Sequence, residues 1–351
     1  MSWANAFFAG DDHPDHHKPL DGLRGLAVLF VVLGRGANHG LGPFELDNLL
    51  VRGKLGVYLF FVLSAYLLDR QIIKMFQLGR ADRSYWLYYI SRRVLRIFPL
   101  FFLALIVFRL ANAAGFKVVI HSWSQLWEHL ALQRGDHIFW SIPVEFKYYL
   151  ISPILLFFFH RFLKWNKLAI GVTFIVIIAS VYLGQLFLNP SRINVFLYLN
   201  IFLMGTIIAV LERCFPKFWH ELSRSKLITY SGWLVIIVFT IWSKKVINFK
   251  DSHTFLPSAA LWSIALVSTF RPSKWSALLS FKPLRWIGKV SFSMYLFHIP
   301  VLIWVKNWAI PSGPLWLIYL GLTALVSAAT FLLVERPLQL FKPFTYGPRS
   351  T

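Results

Sequence analysis

Residues 92–113 read RRVLRIFPLFFLALIVFRLANA: three arginines within five positions, then twelve consecutive apolar residues from Ile97 to Phe108. The run lies within an apolar segment, 94–113, and a segment of that length predicts a helix that crosses lipid, because hydrocarbon offers no partner for backbone N–H and C=O groups and a helix satisfies them within itself. The arginines in front of it suit an anionic headgroup layer.

The same alternation of basic cluster and apolar run extends in both directions. Ten apolar segments lie near residues 22–38, 55–73, 94–113, 139–159, 168–188, 195–211, 227–243, 255–270, 290–307 and 314–334. The eighth is short enough to tilt or to be partly buried. The expected fold class is an all-α polytopic membrane protein of about ten transmembrane helices, one domain over 20–340 between polar tails at 1–19 and 341–351. Composition agrees. Hydrophobic residues make up 57% of the 351 and charged residues 15%, against about 45–50% and 25% in soluble domains, and mean hydropathy is +0.59. A soluble enzyme of this size cannot bury so much apolar surface.

The net charge of +21, from 36 Lys and Arg against 15 Asp and Glu, would suggest nucleic acid in a soluble protein. Here the cations fall in short clusters between apolar runs, so no nucleic-acid partner is expected; membrane lipids are. Cys214 is the single cysteine and permits neither an internal disulfide nor a cysteine-based zinc site. The N-terminus lacks the basic-then-apolar order of a secretory signal. Its DDHPDHH run (11–17) reads as a solvated tail, with metal binding as the other reading. With the N-terminus inside, cytoplasmic segments hold about 24 Lys and Arg and external ones about 9. Both termini are therefore expected in the cytoplasm, at the cell inner (plasma) membrane.

Ionisable groups within a bilayer are expensive unless paired or hydrated, which makes each a functional candidate. They are Arg24, Arg35, Arg109, Glu145, Lys147 and His298. Arg24 and Arg35 are eleven residues apart, about three turns, and so share a helix face, with His39 one turn further. Arg24 and Arg109 also suit a snorkelling role at the interfaces. Glu145 and Lys147 are not at a facing distance on a helix, so Glu145 is expected to meet an arginine from another segment. His298, in SMYLFHIP, suits a satisfied core histidine as well as a site.

Seven strings occur in a fixed order: LDGLRGLAVLFVVL (20–33), GVYLFFVLSAYLL (56–68), RRVLRIFPLFF (92–102), FWSIPVEFKYYLISP (139–153), FLMGTIIAVL (202–211), LRWIGKVSFSMYLFHIPVLI (284–303) and LVERPL (333–338). Together they resemble the membrane acyltransferase-3 family. The resemblance implies ten spanning helices and transfer of an acyl group, commonly acetyl from acetyl-CoA, to a hydroxyl of an extracytoplasmic glycan such as O-antigen or exopolysaccharide. Some members carry a further hydrolase-like domain after the last span; with the sequence stopping at Thr351, none is expected here. The family's Arg-x-x-Arg motif falls on Arg93 and Arg96. With Arg92 they lie where CoA phosphates would arrive, and guanidinium binds phosphate in a bidentate fork. Lipid contact is the other reading of the cluster. A lipid-linked or polymeric acceptor would lie outside, near tryptophan-containing loops such as 121–140. No metal and no tightly bound cofactor is implied.

The family's first-span signature, arginine, ten residues, then histidine, would place a histidine at residue 35, and Arg35 stands there. An imidazole, with a pKa of about 6.5, can accept a hydroxyl proton, whereas a guanidinium can only hold an anion or stabilise an oxyanion. Three readings stand. His39 substitutes as base; another histidine, His298 foremost, does; or the chain is a catalytically silent relative that binds or transports a lipid-linked glycan. Arg24, Arg35 and Glu145 are expected to form the polar interior. A secondary transporter would instead show two matching halves with broken helices, and no internal symmetry is visible.

Overall fold

The structure is a computed structural model that describes residue 7 and residues 16–41, 53–187, 191–242, 255–308 and 310–341. Most of these residues are helical, with no β-strand among them. In chain order the helices are α1 (Lys18–Asn38), α2 (Lys54–Gln77), α3 (Arg83–Ala113), α4 (Trp123–Leu130), a 3₁₀ turn (His137–Trp140), α5 (Ser141–Arg161), α6 (Lys167–Phe187), α7 (Leu199–Cys214), α8 (Pro216–Arg224), α9 (Lys226–Trp242), α10 (Phe255–Val267), α11 (Lys274–Leu279), α12 (Lys282–Lys289), α13 (Ser291–Val305) and α14 (Ser312–Thr330). A π turn (Phe331–Glu335) joins α14 to α15 (Arg336–Leu340).

Each of the ten apolar segments forms a helix, yet fewer qualify as spans by length and composition. Among the described residues five helices are long and apolar enough, or up to seven if each of two bent pairs counts as one. The bends are 114° between α7 and α8 and 76° between α12 and α13. α9 and α10 have 17 and 13 residues, at 1.5 Å per residue about 26 and 20 Å, short of a ~30 Å hydrocarbon core. α1 fails for a different reason. It carries Lys18, Asp21, Arg24 and Arg35, and it is enclosed by other helices instead of lipid.

The third segment is longer than its apolar run. α3 starts at Arg83, where the Asp82 side chain caps the Tyr85 N–H, and continues for 31 residues through Pro99. Arg92, Arg93 and Arg96 therefore sit inside a helix, not in a loop.

α2 is the centre of the bundle, with 72% of its apolar window buried against 11% for α6 at the periphery. It packs on α1, α5, α7 and α10. Glycines set the closest approaches, as expected where helices meet in a membrane. A Cβ on Gly56 would lie 2.1 Å from Ala27 O, and one on Gly205 2.2 Å from Val62 O. α1 meets α11 and α12 in the same way: a Cβ on Gly22 would lie 1.8 Å from Leu279 O, and one on Gly288 1.8 Å from Asp21 O. This contact fixes where Asp21 and Arg24 stand.

Candidate active site

One face of α3 carries Tyr85, Tyr89, Arg92, Arg93 and Arg96, residues three and four apart. They line a vestibule of about 490 Å³ together with Asp21 and Arg24 of α1, Tyr66 and Arg70 of α2, Lys289 of α12, and Glu335 and Arg336. Cations outnumber carboxylates here, and several are already engaged. Arg70 pairs with Glu212 at 2.8 Å, Lys289 with Asp21 at 3.3 Å, and Arg92 donates to the carbonyls of Gln339 and Phe341. Arg93 lies over the rings of Tyr89 and Tyr149, at 5.6 and 5.4 Å, and its buried Nε has no hydrogen-bond partner. Arg96 is within electrostatic reach of Arg24, Glu335 and Tyr149. Arg93 and Arg96 thus retain donors for an anion, whereas Arg92 anchors the C-terminal helix.

Arg24 and Arg96 also line a second space, a chamber of about 50 Å³ bounded by Ser64, Ser141, Glu145, Tyr149, Ser291 and Tyr295 and walled by phenylalanines and isoleucines. Glu145 Oε1 accepts from Ser64 Oγ at 2.6 Å and from Tyr149 OH at 2.5 Å. The expected arginine partner is replaced by hydroxyls, because Tyr149 lies one turn away on the same helix and Ser64 faces it from α2. Lys147 points elsewhere and donates to Ile193 O. Tyr295 OH donates to Ile138 O at 2.5 Å and lies 2.9 Å from Ser141 Oγ, and both side chains line the chamber.

Arg35 does not join Arg24 and Glu145. Its place is at the other end of α1, about 16 Å along the axis, within electrostatic reach of Tyr295, His298, His137 and Tyr319. His298 is fully buried. Its Nδ1 lies 2.7 Å from Tyr295 O and 3.2 Å from Met294 O, so Nδ1 carries the proton and donates, while Nε2 is buried with no partner. His39 caps α1 with Nδ1 on Arg35 O at 2.9 Å and reaches His137 electrostatically. His137 has φ +52, a left-handed conformation unusual outside glycine. Arg109 stacks over Trp123 at 5.5 Å, and Trp123 and Trp127 of α4 are exposed.

The profile of the acyltransferase domain matches residues 18–335. The chain belongs to the acyltransferase-3 family. Among curated relatives, it is 26% identical to the O-acetyltransferase OatA of Staphylococcus aureus over 378 aligned residues, covering 96% of this chain and 60% of that protein. It is 25% identical to the peptidoglycan O-acetyltransferase OatA of Listeria monocytogenes, covering 91% of this chain and 55% of that protein. The chain thus spans little more than half the length of these relatives. No solved structure matches it.

Several residues of this acyltransferase-3 domain around the site escape a reading of the sequence. Asp69, with no exposure, accepts from Tyr148 OH at 2.7 Å and from Ser152 Oγ, and Tyr148 OH also meets Thr206 at 2.7 Å. An aspartate inside the 55–73 apolar run was the available signal. Glu335 of LVERPL accepts from the Ser293 N–H at 3.1 Å and from its hydroxyl. Tyr149, four residues after Glu145, was legible by helical spacing, whereas Ser64, Ser291 and His137 had no such signal. Of the DDHPDHH run, residues 11–15 lie outside the described residues. His16 lies 3.1 Å from Asp21, and His17 Nε2 lies 3.1 Å from Thr269 O. Among the described residues no group of three or more His, Cys, Asp or Glu is arranged to hold a metal.

Proposed function

We propose that this protein moves an acyl group, acetyl in the first instance, from cytoplasmic acyl-CoA to a hydroxyl of an extracytoplasmic glycan at the plasma membrane. The names of the relatives put peptidoglycan first among acceptors; O-antigen and exopolysaccharide offer the same hydroxyl chemistry. The observation that carries the reading is that Arg24 and Arg96 line both the cationic vestibule and the narrow chamber. A polyanion held by Arg93 and Arg96 would direct its thioester end between these two arginines into the chamber. The excess of basic residues in the segments at this end supports a cytoplasmic side for it and for both termini.

One turn beyond Tyr295, which lines the chamber, His298 is the candidate base: its Nδ1 proton is committed to backbone carbonyls, which leaves Nε2 to accept a proton. The acceptor oxygen bonds to the acyl carbon and the C–S bond breaks. The hydroxyl proton goes to Nε2, and the departing thiolate takes up one proton, so that the net transfer is from oxygen to sulfur. Arg35 supplies a fixed positive charge near this reaction, where the family has its histidine, and suits an oxyanion better than a proton. That replacement also favours a second reading, a silent relative that binds or transports a lipid-linked glycan.

The test is acetyl-CoA binding and transfer by purified protein in lipid nanodiscs. Arg93→Ala and Arg96→Ala should each weaken binding by roughly ten- to a hundredfold, since a hydrogen bond to a charged group contributes about 1.5–3 kcal/mol. Wild-type affinity in both variants would make the cluster a lipid anchor. Binding without transfer would select the silent relative.

A further inference from the structure

Ser291 is the first residue of α13, just past the 76° bend, and its side chain lines the 50 Å³ chamber. It is 1% exposed, and its Oγ has no hydrogen-bond partner. Leaving a buried hydroxyl unpaired is costly, so such a group calls for an explanation, a catalytic role among them, and Ser291 has its unpaired hydroxyl at the chamber. The other hydroxyls around the chamber are committed: Ser64 and Tyr149 to Glu145, and Tyr295 to Ile138 O beside Ser141. The rest of the lining includes Phe60, Phe61, Ile97, Ile142 and Phe292.

The volume is selective as well. A dry apolar cavity of about 150 Å³ holds benzene, which is about 25 Å³ per carbon. On that scale 50 Å³ admits two carbons, and a four-carbon chain would need about twice the space. We infer that this chamber is an acyl-length gauge: Ser291 donates its hydroxyl proton to the acyl carbonyl oxygen, and the wall containing Phe292 and Ile142 limits the chain to two carbons. The inference rests on the donor reading above and adds to it the acyl class and the residues that select it.

Acetyl-, propionyl- and butyryl-CoA are compared on the full chain in nanodiscs, first by calorimetric binding and then by turnover. Two extra methylenes in a filled site cost about 1–3 kcal/mol, so wild-type kcat/KM should fall at least about fivefold from acetyl to butyryl. Phe292→Ala should raise the butyryl-to-acetyl ratio about tenfold, and Phe292→Leu should shift it less in the same direction. Should Phe292→Ala fail to fold, the leucine variant carries the test. Ser291→Ala should lower kcat for every chain about a hundredfold, the loss typical of one oxyanion donor, with KM unchanged. Equal use of acetyl- and butyryl-CoA by the wild type, an unchanged ratio in a folded Phe292 variant, or wild-type kcat in Ser291→Ala would overturn the inference. If no acyl-CoA of any length binds, the calorimetry shows it before turnover is measured, and the donor reading falls along with the gauge.

Discussion

Replacing Gly288 by alanine tests whether the contact between α1 and α12 positions the site. A Cβ there would lie 1.8 Å from Asp21 O, 2.8 Å from Asp21 C and 3.1 Å from the Gly25 N. All three are backbone atoms, so no side chain can swing aside. Ordinary contact needs at least 3.4 Å, and the two helices must part by about 1.5 Å. Overpacking of this kind costs about 1–3 kcal/mol. For a chain of 351 residues a 2 kcal/mol loss corresponds to a Tm lower by about 3 °C. The functional effect should exceed the stability effect. The same displacement pulls Asp21 from Lys289, now at 3.3 Å, and moves Arg24 off the passage it shares with Arg96. A misplacement of about 1 Å at a reacting site costs on the order of a hundredfold in rate. The assay is thermal unfolding of the protein in detergent, followed by acetyl transfer well below the variant's Tm. Gly313→Ala and Gly321→Ala are the controls, since a Cβ at either meets nothing within 4 Å; both should keep wild-type activity. A Gly288→Ala protein with wild-type Tm and wild-type transfer would refute the claim that this contact sets the position of Arg24.

Three further outcomes are expected. His129 is buried by the fold, with Nδ1 donating to Gln125 O and Nε2 accepting the Asp136 N–H; burial lowers its pKa below the ordinary 6.5, against smaller raising effects of the Gln125 carbonyl and the Asp136 carboxylate. The unfolded chain therefore binds the proton first, and stability should be level above about pH 6.5 and fall as pH drops through and below it; a pH series of Tm values that is no flatter in His129→Gln would contradict this. His298→Gln should reduce transfer by about 10²–10⁴-fold, the usual range for a general base, and His39→Ala by far less, while Arg35→His should raise the rate if the family's base position is vacant in function; a folded His298→Gln at wild-type rate would move the base to His39. Topology reporters inserted at Gly79 and Gly115 should report cytoplasm and exterior respectively, and the reverse result would turn the donor site outward.

The sequence by itself determined the solvent of this protein. Apolar runs long enough to span lipid, interleaved with arginine clusters, leave no soluble alternative, and that information is local. The i, i+3 spacing of Arg93 and Arg96 and the i, i+4 spacing of Glu145 and Tyr149 were equally legible, because a helix converts sequence distance directly into a shared face. The arginine at position 35 was likewise visible as a departure from the family's signature. Tertiary structure alone decided the partners. Glu145 meets Ser64 across 81 residues, Tyr66 meets Glu212 across 146, and Tyr295 meets Ile138 across 157, and no periodicity records which helices become neighbours. It also divided Arg24 from Arg35, joining one to Arg96 and a chamber and the other to His298 and His137. The physical reason is that lipid asks only that a helix be apolar, whereas its neighbours are chosen by backbone approach at glycines such as Gly22, Gly205 and Gly288, where close packing exists only once both surfaces are present.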